Sequence, residues 1–89
     1  MDWHTPAHST QISRYAFDPV TGELHVVFHQ KRPGPVPTYV YKGNKESGPI
    51  TQELFDEFHG HPSKGSFHHQ RIKGVFPFEK RIPPEAESG

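Results

Sequence analysis

A chain of 89 residues with 30% hydrophobic side chains and a mean hydropathy of −0.83 bounds the protein to one small domain without room for a large core. Ten basic residues balance ten acidic ones, which excludes coating of nucleic acid by bulk charge and departs from the charge excess of natively unfolded chains. The absence of cysteine excludes disulfides and thiolate metal sites, and no apolar run approaches the ~20 residues of a membrane span.

The opening Met1-Asp2-Trp3-His4-Thr5-Pro6 has neither a basic region nor an apolar stretch, so no signal peptide is read and the cytoplasm is the default compartment. Residues 1–8 lack periodicity and are expected to form a flexible lead-in to a single domain over residues 9–82. Ile12, Tyr15 and Phe17 mark a first strand, with Tyr15 and Phe17 on one face by the period of two. Asp18-Pro19-Val20-Thr21-Gly22 reads as a hairpin loop, Pro presetting φ and Gly allowing the reversal.

Glu23-Leu24-His25-Val26-Val27-Phe28-His29 is the clearest strand. Leu24, Val26 and Phe28 point to the core, and His25, Val27 and His29 point away. Residues 31–37 hold three prolines, which remove ladder donors, so a projecting mobile loop is expected. Thr38-Tyr39-Val40-Tyr41 resumes the strand pattern, and the short connection implies antiparallel pairing with the strand before it.

Pro49 is placed for the first turn of a helix whose apolar stripe is Ile50, Leu54, Phe55 and Phe58. Glu53, Asp56 and Glu57 lie off the stripe as a solvated face, and His59-Gly60-His61-Pro62 ends the helix. Ser63 reads as the N-cap of a second, short helix to about Ile72, stopped by Gly74. Val75-Phe76-Pro77-Phe78 is expected as an extended piece with its rings on the sheet. Residues 83–89, Pro-Pro-Glu-Ala-Glu-Ser-Gly, have the composition of a disordered tail. The fold class expected is α+β, a three-stranded antiparallel meander followed by two short helices packed on one face.

Candidate chemistry gathers after residue 62. Ser63, Lys64 and Gly65 open a helix, where unpaired N–H groups and the helix dipole attract anions, against the plain alternative of an ordinary cap. Arg71, Lys73, Lys80 and Arg81 extend the basic bias of residues 64–81. Tyr39, Tyr41, Phe76 and Phe78 are candidate base stackers, although a small core needs rings of its own. No metal or other cofactor is expected. His25 and His29 share a strand face but stand roughly 13 Å apart, too far for one ion. Were an ion held, its ligands would come from His59, His61, His68 and His69, of which His68 and His69 point about 100° apart on a helix. No nucleophile motif is present, and no enzyme is expected.

The order Ser9-Thr10-Gln11-Ile12, Tyr15-Ala16-Phe17-Asp18, Leu24-His25-Val26-Val27-Phe28, Tyr39-Val40-Tyr41, Pro49, Ser63-Lys64-Gly65-Ser66-Phe67 and Ile72-Lys73 resembles the KTSC domain over about residues 9–81. That module stands alone in bacteria and phages or closes some lysyl-tRNA synthetases. The resemblance implies a three-stranded meander with two helices and, through the synthetase setting, a nucleic-acid-binding role. Ser63, Lys64, Gly65, Phe67 and Ile72 match its motif. His68 and His69 depart from the family's apolar residue and Asn, and the loop over residues 31–37 is longer than usual.

The function expected is a non-catalytic binding module of bacterial or phage origin. Its expected ligand is RNA or another single-stranded nucleic acid, contacted by Ser63, Lys64, Gly65, Arg71, Lys73, Lys80 and Arg81 with Tyr39 and Tyr41 as stackers. The alternative is a protein-interaction module, such as a phage protein docking on a host protein in the host cytoplasm.

Overall fold

Alternation of apolar and polar residues builds a single sheet in the computed structural model of the chain, which describes residues 2–6, 11–30, 33–34, 36–46 and 48–82. Strands β1 (Ile12–Asp18), β2 (Glu23–Phe28) and β3 (Thr38–Tyr41) form an antiparallel meander. Beyond the three expected strands a fourth is present: β4 (Phe78–Arg81) pairs antiparallel with β3, giving the order β1-β2-β3-β4. The expected tail at 83–89 lies outside the described residues, as do residues 1 and 7–8 of the expected lead-in. Within that lead-in His4 exchanges two backbone hydrogen bonds with Tyr15, at 2.8 and 3.0 Å.

The β1–β2 turn forms as its residues dictate. Asp18 accepts hydrogen bonds from the Val20 and Thr21 N–H groups, and these bonds hold its carboxyl below the usual carboxylate range. Gly22 closes the turn at φ 73°, which only glycine adopts readily. At the other end of β1 the pairing shifts register between Ile12 and Arg14. This bulge brings Ile12 onto the same face as Tyr15 and Phe17, so three β1 side chains enter the core although their spacing breaks strict alternation.

Helix α1 (Gln52–Gly60) begins at Thr51, whose Oγ1 accepts a hydrogen bond from the Leu54 N–H at 3.1 Å. Pro49 therefore sits before the cap rather than in the first turn. Ile50, Phe55 and Phe58 are buried and Leu54 packs against them, as the apolar stripe requires. Phe17 and Phe55 stack at 5.1 Å, and Phe58 meets Tyr15 edge-on at 4.8 Å.

Helix α2 (Lys64–Phe67) runs directly into a π-helical turn over His68–Ile72, closed by a 2.7 Å hydrogen bond from the Lys73 N–H to the His68 carbonyl. Gly74, at φ 81°, ends this segment. Phe67, Ile72 and Phe76 complete the core, with Phe67 touching Phe58 across the two helices. Each such buried ring or branched side chain stabilises the fold by about 1.5–3 kcal/mol.

The opposite face of the sheet is not simply solvated. Ala16, Val27 and Val40 are buried there, although alternation alone turned Val27 outward. Trp3 lies across that face, its ring under the Arg14 guanidinium and edge-on to His25.

Candidate functional site

The two helices cover only part of the sheet. Alternation along β3 sends Tyr39 and Tyr41 to the helical face, and the register pairs Tyr41 with Phe78 and Tyr39 with Lys80. Phe78 and Lys80 thus join the same face from β4. The π-helical turn reaches the sheet at His68, whose ring meets Phe28 at 5.0 Å and Tyr41 at 5.2 Å. Among the described residues no helix follows this turn to cover β3 and β4. The result is an open groove of about 1540 Å³ with an aromatic floor of Phe28, Tyr39, Tyr41 and Phe78.

The floor is a connected ring cluster. Phe28 and Tyr39 meet at 5.3 Å, and Phe78 meets Tyr39 at 5.5 Å and Tyr41 at 5.6 Å. Tyr41 is nearly sealed, while Phe78 is 56% exposed. Ser66, His69, Gln70 and Lys73 form the helical wall, and Gln30, Pro33 and Pro37 stand opposite. No acidic residue lines the groove among the described residues. Its volume exceeds the ~300–1,000 Å³ of small-molecule pockets, which suits a segment of polymer.

At the base of the groove, His68 Nε2 and the Tyr41 hydroxyl lie 2.7 Å apart in a buried hydrogen bond. Burial, with Lys73 and His69 nearby, pushes the His68 imidazole down to about 4. Burial, with Tyr39 beside it, pushes the Tyr41 hydroxyl up to about 12. Both are therefore neutral at pH 7, and neither is poised for proton transfer there. Nothing in this pair points to catalysis.

The expected basic set does not form one surface. Arg81 lies on the opposite face, 3.1 Å from Glu79 and 3.7 Å from Glu23. Arg71 pairs with Glu57 at 3.5 Å and covers the Phe67 ring. The Lys64 ammonium donates to the His61 carbonyl at 3.1 Å. Only Lys73, in the groove wall, and Lys80, beside Tyr39 across the strands, stand at the groove without an ion pair among the described residues.

Ser63 occupies the N-cap position but makes no capping bond with its side chain. Its hydroxyl bonds Ser66 at 3.0 Å instead. At Gly65 a Cβ would collide with the end of the Gln11 side chain, so glycine here admits Gln11 rather than leaving bare backbone open to a ligand.

The four candidate metal ligands are dispersed. His59 Nδ1 is hydrogen-bonded to the Tyr15 hydroxyl at 2.6 Å, and His61 Nδ1 accepts from the Ser63 N–H at 3.0 Å. His68 is bonded to Tyr41, and His69 faces the groove. Among the described residues no three His, Asp or Glu side chains gather closely enough to hold a metal ion. No helix among them is long and apolar enough to cross a membrane.

Sequence reasoning included Phe78 among the candidate stackers but left it out of the expected site, and it missed Phe28 and the Gln70 wall. The Phe28 alternation marked it as core, and only the shortness of the helical cover leaves it at the groove.

Comparison with known proteins accords with this architecture. A search of curated proteins finds no match. Among solved structures, a KTSC domain protein from Yersinia pestis superposes with a TM-score of 0.67 at 25% identity, over 89% of this chain and 97% of that one. The KTSC domain family itself matches residues 8–76, which run from before β1 to just short of β4. The chain belongs to the KTSC domain family.

Proposed function

We propose that the protein is a non-catalytic module that binds RNA or another single-stranded nucleic acid in the groove between β3–β4 and the π-helical turn. One observation carries the reading: an exposed Phe78 on an aromatic floor, bordered by Lys73 and Lys80 and, among the described residues, by no acidic residue. Unpaired bases stack on such rings while the ammonium groups neutralise phosphates. Of the other expected contacts, Ser63, Lys64, Arg71 and Arg81 play no part in this reading, because each is engaged elsewhere or faces away, while Gly65 lines the groove with the Gln11 side chain against it. A cytoplasmic setting, in which nucleic acid is at hand, belongs to the same proposal.

A second reading is favoured by a different observation. β4 is the edge of the sheet and is exposed throughout, with Val75, Phe78 and Ile82 exposed around it. A host or cellular protein adding a strand along β4 would bury them.

Fluorescence anisotropy with labelled single-stranded RNA and DNA tests the first reading. Binding at low salt that weakens in Phe78→Ala and in the Lys73→Ala, Lys80→Ala pair is the expected result. Absence of binding at low salt overturns it and directs attention to a protein partner on β4.

A further inference from the structure

We propose that the groove reads bases: its affinity comes from the faces and hydrogen-bonding edges of unpaired bases, with the phosphate backbone as a minor contributor. This rests on the single-strand reading above and goes beyond it by stating which part of the nucleotide is recognised. Three features of the groove lead there.

The first is its charge. A site that tracks the backbone needs a row of cations, and among the described residues Lys73 is the one Lys or Arg that lines the groove, with Lys80 next to it across from Tyr39. Arg71 and Arg81 are held by Glu57 and by Glu79 and Glu23, and Lys64 by a carbonyl. Two phosphate contacts, each releasing counterions from a single strand, predict that affinity falls only about sevenfold between 50 and 200 mM salt. Five contacts, from the full basic set, would predict about a hundredfold.

The second is the floor. Phe78 is open from above and backed by Tyr39 and Tyr41, which themselves pack on Phe28 and His68. A platform whose rings are braced from behind loses little freedom when a base lands on it.

The third is the wall. Gln70 and His69 are exposed and face the same groove. A primary amide offers two donors and an acceptor, and an imidazole ring brings two nitrogens that can hydrogen-bond. Donors and acceptors of this kind complement Watson–Crick edges. Side chains of this kind distinguish bases, because a mismatched edge leaves a donor or acceptor unpaired.

The test uses the full chain and four labelled RNA homo-oligomers, together with an abasic ribose-phosphate strand of equal length, each titrated at 50 and 200 mM salt. The expected result has three parts. The abasic strand binds at least about tenfold more weakly than the best homo-oligomer. The best and worst homo-oligomers differ by about tenfold, and Gln70→Ala with His69→Ala compresses that range while the protein stays folded by circular dichroism. Salt costs about sevenfold rather than a hundredfold.

Equal binding of the abasic strand with a steep salt dependence overturns the inference and leaves single-strand binding intact. Loss of the abasic strand without any preference among bases also overturns it, reducing the groove to an unselective stacking platform. Failure to bind any strand at 50 mM salt overturns both this inference and the function on which it rests.

Discussion

The helical face of the sheet has two halves that carry the same kind of side chain and meet opposite fates. Over β1 and β2, Tyr15 and Phe17 are covered by Phe55 and Phe58 of α1. Over β3 and β4, Tyr39 and Phe78 meet each other and solvent. Composition does not separate the halves, since both are aromatic. Helix supply does: the second helical segment ends at Ile72 after a single α turn and a π turn. The lesson is that the proposed binding surface is core that the chain does not finish covering.

The sharpest way to break that contrast is to truncate one ring on each side. Phe58→Ala is expected to destabilise the protein by about 3–5 kcal/mol, because Phe58 is fully buried and the cavity cannot collapse onto a sheet. Chemical denaturation measures it. A loss under 1 kcal/mol would mean that the covered half is packed no better than the open one.

His68 marks the boundary between the halves, and pH probes it. Its folded-state value of about 4 lies below the ordinary 6.5, so between those values the unfolded chain binds more protons. Stability is therefore complete above about pH 6.5 and declines as pH falls toward 4, by roughly 3 kcal/mol at the acid end. Melting temperature against pH should show this decline in the wild type. In His68→Gln, which keeps a partner for Tyr41 but cannot titrate, the decline over that window should shrink. Parallel curves for the two proteins would remove His68 as the cause.

A smaller effect tests the wall of the groove. Gly65→Ala is expected to cost less than about 1 kcal/mol, because what stands in the way is the end of the exposed Gln11 side chain, and Gln11→Ala in the same chain should recover it. A full cost that persists without Gln11 would place the clash elsewhere.

Smallest on stability is Phe78→Ala, expected within about 0.5 kcal/mol because more than half of the ring is already in water. Its effect belongs to binding, where about a tenfold loss is expected. A large destabilisation with unchanged binding would reverse the contrast altogether.

Much of the fold was legible in the sequence because local rules govern it. Alternation marked β2 and β3, the Asp18-to-Gly22 turn joined β1 to β2, and the apolar stripe marked α1. β4 escaped because Phe78-Glu79-Lys80-Arg81 is four residues long, follows a proline and buries nothing. Only its register with β3 makes it a strand. The bulge in β1 likewise has no local signature, and Ile12 reaches the core through it.

The site was less legible than the fold. Lys and Arg counted by position seemed to form a patch, but ion pairs depend on distant carboxylates: Glu57 for Arg71, Glu23 for Arg81. The groove is a residue of coverage, set by where a helix stops relative to a strand. No single segment records that. Lys80, expected as a contact from the basic bias of residues 64–81, and Phe78 lie beyond the stretch that the family match covers.

The backbone pairing of His4 with Tyr15 gives the sheet a beginning and an end. Part of the outer margin of β1 is occupied by the chain's own first residues, while β4 carries no further strand among the described residues. Strand addition at both margins would let molecules join into an unbounded ribbon. The short N-terminal contact thus leaves β1 less backbone open to a further strand than β4 has.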